Sequence, residues 1–169
     1  MDGPKGPGVA VLCVSRVFSL EYKMANICIR SANLNDMRTL LEFEQCIISA
    51  ERPYDNCLKE GAITYYDFEE LISSATAEVL IAEIEHKIVG SGYAQIRESK
   101  PYLKYAYHSY LGCMYVDPDY RGKGVNKLIL NSLREWSKSQ NICHFSLDVY
   151  AGNKDAIRAY EKAGFKNNL

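Results

Sequence analysis

A short basic segment that contains two glycines, Arg121–Val125 (RGKGV), is the part of this sequence best suited to chemistry. It follows a strand-like run, Tyr110–Val116, and leads into a helix-like run from Val125 to Gln140. The first backbone N–H groups of a helix have no partner within the helix, and the helix dipole adds partial positive charge there. Because Arg121 and Lys123 add full charges and glycines let the backbone approach a ligand closely, the segment predicts a phosphate or pyrophosphate site.

Two common phosphate-binding loops do not fit this segment. A Walker loop requires a Lys-Ser/Thr pair after its last glycine, whereas Gly124 is followed by Val125 and Asn126. The dinucleotide fingerprint G-x-G-x-x-G begins with Gly122 and Gly124, but Lys127 stands at its last position. For the short segment taken alone, an exposed turn that merely begins a helix stays open as the alternative.

A second segment, Leu147–Phe165, favours the phosphate site over an exposed turn. It fits the pattern L-x-V-x-x-x-N-x-x-A-I-x-x-Y-x-x-x-G-F at every fixed position. With the first segment, it resembles the GNAT superfamily of acyl-CoA-dependent N-acyltransferases, whose pyrophosphate loop is [Q/R]-x-x-G-x-[G/A]. Arg121, Gly124 and Asn126 hold the three fixed positions of that loop, and Asn126 differs from the usual Gly or Ala. The resemblance covers Ile27 to Phe165.

The resemblance implies an α/β (α+β) fold with a mixed, mostly antiparallel central sheet flanked by helices. Hydrophobic periodicity and turn residues give the element order β-α-α-β-β-β-α-β-α, which is also the order of that family. The predicted strands are Ile27–Arg30, Glu78–Glu85, Ile88–Arg97, Tyr105–Val116 and Cys143–Val149. The predicted helices are a region from Met37 that ends at Pro53, then Tyr65–Ser73, Val125–Gln140 and Asp155–Ala163.

The resemblance also implies acetyl-CoA as co-substrate, without a metal. The pyrophosphate would bind at the basic loop, and a bulge in the strand before it would leave backbone N–H groups free for the pantetheine arm and the thioester. Asn153 matches an asparagine near the coenzyme, and it also suits a helix cap. The implied coenzyme-binding residues are Met114, Tyr115, Val116, Arg121, Gly122, Lys123, Gly124, Val125, Asn126, Asn153 and Tyr160.

Acyl transfer to an amine requires a base for the amine and an acid for the leaving thiolate. The resemblance assigns the acid to Tyr160, which by periodicity alone is a packed helix tyrosine. It assigns the base to Asp148, which lies inside L-x-V as in the branch that acetylates ribosomal-protein N-termini. Partial burial at a strand end would raise the pKa of such a carboxylate. A solvated Asp148 and a base at His108 stay open as alternatives, and Tyr110 stands where another branch has a glutamate.

The composition bounds the function further. An apolar fraction of 47% favours a globular chain, and a net charge of −1 gives no electrostatic case for binding nucleic acid. Six cysteines without a C-x-x-C pair, beside only three histidines, show no zinc spacing and suit reduced thiols in a cytoplasmic protein. No run approaches the ~20 apolar residues that a membrane helix needs. Seven tyrosines in the acceptor-side half of the chain suit either an acceptor pocket or a tyrosine-rich sheet. They are Tyr65, Tyr66, Tyr93, Tyr102, Tyr105, Tyr107 and Tyr110.

The two ends of the chain differ from the family pattern. Residues 1–23 are expected to be a leader outside the fold, followed by one acyltransferase domain at 24–169. Family members continue into two further strands after the position of Phe165, so the strand Cys143–Val149 would have a free edge able to pair into a homodimer. The sequence thus predicts acetyl transfer to a primary amine of a small molecule, a lysine or a protein N-terminus. A non-catalytic acyl-CoA-binding or scaffold module is the alternative.

Overall fold

A five-stranded sheet forms the centre of the protein, and helices pack on both of its faces. The computed structural model describes residues 26–166, so the predicted leader 1–23 and residues 167–169 lie outside the described residues. The strands are β1 (Ile27–Ser31), β2 (Ala77–Ile84), β3 (Lys87–Glu98), β4 (Tyr107–Val116) and β5 (Phe145–Ser146). The helices are α1 (Met37–Glu51), α2 (Phe68–Ser73), α3 (Val125–Ser139) and α4 (Lys154–Lys162).

The strands lie in the order β1-β2-β3-β4-β5. All neighbours are antiparallel except β4 and β5, which are parallel. The predicted hairpin between β2 and β3 is confirmed, and its loop is the pair Glu85 and His86, both with left-handed backbone at φ 50° and 64°. The element order and the mixed, mostly antiparallel sheet confirm the predicted fold class.

Alternation along β2 separates two hydrophobic cores. Val79 and Ile81 face α1 and α2, in a cluster with Leu40 and Phe68. The alternate residues of β2, Leu80 and Ala82, face α3 on the other side of the sheet. Their cluster consists of Leu80, Ala82, Val89, Ala94, Leu111, Val125, Ile129, Leu130 and Leu133. Successive side chains of a strand point to opposite faces, so a strand buried on both faces needs apolar residues in both phases.

The helix α3 approaches β3 closely, and this approach depends on a glycine. A Cβ added to Gly92 would lie 2.6 Å from Sδ of Met114 and 2.9 Å from Cγ2 of Ile129. Any side chain at this position would push the helix away from the sheet. Since α3 begins directly after the basic loop, its close seating on the sheet also fixes where that loop lies.

Two predicted elements differ from the structure. The helix expected at Tyr65–Ser73 begins only at Phe68, because the side chain of Asp67 accepts a hydrogen bond from the N–H of Glu70 and caps it there. The strand expected at Cys143–Val149 is reduced to Phe145–Ser146, since β4 supplies only two pairing residues on that side. Within residues 26–166 no other strand pairs with β5, and a homodimer through this edge stays a prediction.

No helix among residues 26–166 has the length and apolar character required to cross a lipid bilayer.

Candidate active site

An opening between the parallel strands β4 and β5 forms the centre of the candidate site. Ser109 pairs with Phe145 and Tyr110 with Ser146, and there the pairing ends. From Leu147 onwards the chain no longer follows β4. The remaining half of β4, which leads to the basic loop, therefore has one edge that β5 leaves unpaired.

A bulge in β4 turns its backbone toward this opening. The register with β3 shifts by one residue between the pairs Tyr93–Gly112 and Ser91–Tyr115, and Cys113 has left-handed backbone at φ 48°. The N–H of Ser109 donates toward the β5 side, to the carbonyl of His144, whereas the N–H of Asp117 donates to Val89 on β3. Residues eight apart would face the same edge in a regular strand, so the bulge accounts for the switch.

The switch decides which β4 donors face the opening. Counting back by alternation from Asp117, the N–H groups of Met114 and Val116 point to the side that β5 has left. Tyr115 points its ring toward α1, where it lies 4.4 Å from the ring of Phe43. The predicted bulge is confirmed, and it offers a short row of unpaired backbone donors.

The basic loop forms an anion cradle at the start of α3. Gly122 and Gly124 have left-handed backbone at φ 73° and 84°, which glycine adopts without strain. Gly124 is the N-cap, and no side chain caps the first N–H groups of the helix. A Cβ at either glycine would meet no atom within 4 Å, so space outside the loop is open. A loop of this geometry at a helix N-terminus can bind a phosphate or pyrophosphate group.

The side chains of the loop are exposed and partly engaged. Nε of Arg121 donates to the carbonyl of Val116 at 3.0 Å, which leaves the rest of the guanidinium at the surface. The ammonium of Lys123 lies 4.9 Å from the centre of the Tyr120 ring. Asn126 does not cap the helix, because it is the second residue of α3 rather than the one before it.

The residues of the second motif lie on and before α4. Asn153 is the N-cap of this helix, and its side-chain oxygen accepts from the N–H of Ala156 at 3.2 Å. The ring of Tyr160 meets the ring of Phe165 edge to face at 5.9 Å. Burial, together with a smaller contribution from the charge of Glu51, raises the pKa of Tyr160 to about 12, so the hydroxyl keeps its proton at neutral pH.

A tyrosine-rich cleft of about 660 Å³ opens beside this site. It takes its walls from the end of α1, the segment before α2, strands β3 and β4, and the loop after β5. Four of the tyrosines singled out in the sequence contribute to it, whereas Tyr102, Tyr105 and Tyr107 lie elsewhere. The lining residues are Glu51, Thr64, Tyr65, Tyr66, Tyr93, Arg97, Tyr110, Asp148, Val149 and Tyr150.

Asp148 lies at one end of this cleft. It is exposed, not partly buried as expected, and its carboxylate accepts from the Tyr110 hydroxyl at 3.2 Å. The guanidinium of Arg97 lies 3.7 Å from the centre of the Tyr110 ring. His108 is absent from the cleft lining, and its Nδ1 lies 3.0 Å from the hydroxyl of Ser99.

Glu51 is a second carboxylate in the cleft, and the sequence reasoning missed it. It ends α1, is half-buried, and burial raises its pKa, an effect that the nearby Tyr65 hydroxyl partly offsets. That hydroxyl is buried and forms no geometric hydrogen bond within the described residues. The signal was present in the helix, because Glu44 and Glu51 continue the buried stripe of Leu40 and Ile48 at helical spacing.

Glu44 holds the wall of the cleft from behind. It is fully buried, and its Oε1 accepts from the backbone N–H groups of Tyr65 at 2.6 Å and Tyr66 at 2.9 Å. The hydroxyl of Tyr66 in turn accepts from the N–H of Cys113 at 3.4 Å, at the bulge of β4. This chain of contacts ties α1 to the acceptor side of the cleft and to the bulged strand.

The part of the chain that the structure describes has no group of three or more His, Cys, Asp or Glu side chains placed to hold a metal ion.

Comparisons with known proteins agree with this geometry. The model of the acetyltransferase (GNAT) family matches residues 43–165. A thialysine N-epsilon-acetyltransferase of Sus scrofa is 26% identical over 151 residues, which cover 85% of this chain and 86% of that protein. The basic loop and the cleft described above both fall within the residues that the family model matches.

Solved structures share the fold. A tetramutant of the BH1408 protein from Bacillus halodurans has a TM-score of 0.76 and 20% identity, covering 84% of this chain and 95% of that one. A predicted acetyltransferase from Clostridium acetobutylicum, solved with acetyl-CoA, has a TM-score of 0.65 and 20% identity, covering 84% of this chain and 91% of that one. With a family model that matches 43–165, the chain belongs to the GNAT acetyltransferase family and is an N-acetyltransferase.

Proposed function

We propose that this protein transfers the acetyl group of acetyl-CoA directly to a primary amine while both substrates are bound. The observation that carries the proposal is the succession of three features along β4 and the loop after it. Tyr110 lines the tyrosine-rich cleft, the unpaired donors of Met114 and Val116 come later on the same strand, and the anion cradle at Gly122–Gly124 follows the strand. A pyrophosphate, a pantetheine arm and an acceptor need a path of this kind.

Coenzyme binding is proposed for the residues of the loop and its neighbours. The first N–H groups of α3 and the side chains of Arg121 and Lys123 would hold the pyrophosphate. The backbone donors of β4 would hold the pantetheine arm and stabilise the carbonyl oxygen as it gains charge. Acetyl-CoA supplies an activated thioester, so no covalent nucleophile on the protein is needed.

Two side chains are proposed to move protons. Tyr160 donates a proton to the sulfur that leaves, and its raised pKa supports this role because the proton is present at neutral pH. A carboxylate of the cleft accepts the proton of the amine, and Asp148 is the one that the family resemblance assigns. The relative named for the epsilon-amino group of thialysine supports an unhindered alkyl amine as acceptor.

Binding and transfer test the proposal together. Calorimetry with CoA should show binding by the wild-type protein and a marked loss in Arg121→Glu, which places a negative charge against the pyrophosphate. Release of CoA from acetyl-CoA should then depend on an added amine such as lysine or butylamine. Absence of CoA binding, or release that no amine on a broad panel accelerates, contradicts the proposed function.

A further inference from the structure

The tyrosine-rich cleft holds two carboxylates whose surroundings differ. Asp148 is exposed and already accepts a hydrogen bond from the hydroxyl of Tyr110, whose ring carries the guanidinium of Arg97 at 3.7 Å. This end of the cleft therefore has a resident cation. The positive charge of Arg97 disfavours an ammonium group beside Asp148.

Glu51 lies in a different environment. It is half-buried at the end of α1, and no Lys or Arg of residues 26–166 forms an ion pair with it. A carboxylate removed from water without a cationic partner is costly, and burial accordingly raises the pKa of Glu51. A ligand that brings an ammonium group to this position would satisfy the carboxylate.

Glu51 lines the cleft from the end of α1, opposite the strand and loop that carry Tyr110 and Asp148. Its charge also raises the pKa of Tyr65 and, to a smaller extent than burial, that of Tyr160. An amine must approach the thioester within about 3–3.5 Å to react, and a carboxylate that lines the same cleft can meet the amine on that approach. Tyrosine rings along the cleft add favourable faces for an alkylammonium. The titratable and charged groups that face or share the cleft with Glu51 are Tyr65, Tyr66, Tyr93, Arg97, Tyr110, Asp148, Tyr150 and Tyr160.

We propose that Glu51, rather than Asp148, binds the ammonium group of the acceptor and takes its proton, an inference that rests on the proposed function. One proton passes from the ammonium to Glu51, and the free amine forms its bond to the acyl carbon as the bond from carbon to sulfur breaks. Tyr160 gives its proton to the sulfur, and the nitrogen loses its second proton to the Tyr160 phenolate, which restores the tyrosine. Glu51 then releases its proton to water.

The first experiment measures binding without turnover. Butylamine is titrated into the CoA-bound protein by calorimetry, with butanol as the uncharged probe. Glu51→Gln should lower the affinity for butylamine at least tenfold and leave the affinities for butanol and CoA unchanged. Asp148→Asn should change the affinity for butylamine little. Glu42→Gln is the matched control, because Glu42 lies on the exposed side of the same helix. Equal butylamine binding by wild type and Glu51→Gln, or none by wild type, overturns the inference.

The second experiment follows the rate of transfer against pH. With Glu51 as base, kcat/KM for butylamine rises with pH as the carboxylate ionises, at a midpoint above that of an ordinary glutamate. Glu51→Gln should lower kcat/KM by ~10²-fold or more and remove this rise, and Asp148→Asn should keep it. A rise with the same midpoint in Glu51→Gln contradicts the role of Glu51. A wild-type protein that does not bind CoA refutes the proposed function instead.

Discussion

Replacing Glu44 by alanine should destabilise the protein, because two backbone N–H groups depend on this one carboxylate. Glu44 is fully buried on α1, and its Oε1 accepts from Tyr65 and Tyr66 at 2.6 and 2.9 Å. These tyrosines precede α2 and form a wall of the acceptor cleft. Alanine removes the acceptor and leaves both N–H groups without a partner inside the protein.

The expected cost follows from the two hydrogen bonds. A hydrogen bond to a charged group contributes about 1.5–3 kcal/mol, so the pair gives about 3–6 kcal/mol. The Oε2 atom of Glu44 is buried without a partner, and its removal relieves part of that loss. We expect a net loss of about 2–4 kcal/mol in the free energy of unfolding, which for a domain of this size lowers the melting temperature by about 5–15 °C.

Urea denaturation and thermal melting measure this loss directly. Glu44→Gln keeps one carbonyl acceptor for the two N–H groups and should therefore lose less stability than Glu44→Ala. Glu42→Ala, on the exposed side of the same helix, serves as the control for losing a glutamate from α1 and should change stability by about 0.5 kcal/mol or less. In the folded Glu44→Ala protein the KM for the amine should rise while CoA affinity is kept. Stability of Glu44→Ala within 1 kcal/mol of wild type would refute this reasoning.

Three further predictions concern separate parts of the fold. Arg121→Glu should lower the affinities for CoA and dephospho-CoA alike, since both carry the pyrophosphate. Unchanged calorimetric affinity for either would show that Arg121 does not contact the pyrophosphate. His86→Gly should raise the free energy of unfolding by about 1 kcal/mol, because φ is 64° at this position and glycine adopts this region freely. An unchanged free energy of unfolding in urea denaturation would contradict this prediction. Arg30 holds the pKa of Asp36 below its ordinary value, so this contribution to stability is present at neutral pH and is lost as the pH falls below about 4. In Asp36→Asn the free energy of unfolding should therefore decrease less steeply as the pH falls below about 4. The same decrease in the variant as in the wild type would contradict the contribution of the ion pair with Arg30.

The sequence predicted the fold well because its strands and helices repeat apolar residues at the periods that burial requires. The stripe of Val125, Ile129 and Leu133 on α3 and the alternation along β2 both reappear as core contacts. The start of α2 was predicted too early, at Tyr65. Asp67 caps the helix, and Glu44 holds the backbone of Tyr65 and Tyr66 outside it.

The backbone geometry of the basic loop could be predicted from the sequence, whereas the position of the tyrosine-rich cleft could not. Glycines at Gly122 and Gly124 and basic neighbours identify an anion loop locally, since the whole device lies within a few consecutive residues. The cleft instead joins α1, β3, β4 and the loop after β5, which are distant in sequence. The exposure of Asp148 and the short β5 depend on where β4 bulges, and no local pattern around Asp148 carries that information.

The most direct test of the account measures amine-dependent release of CoA from acetyl-CoA by the wild-type protein and by Tyr160→Phe. The account predicts release by the wild type that rises with amine concentration, and a kcat lower by ~10²–10⁴-fold in the variant. Coenzyme affinity should be unchanged, since phenylalanine keeps the packing of the ring against Phe165. Equal kcat values for the two proteins, or CoA release that is independent of any amine, would contradict the central claim.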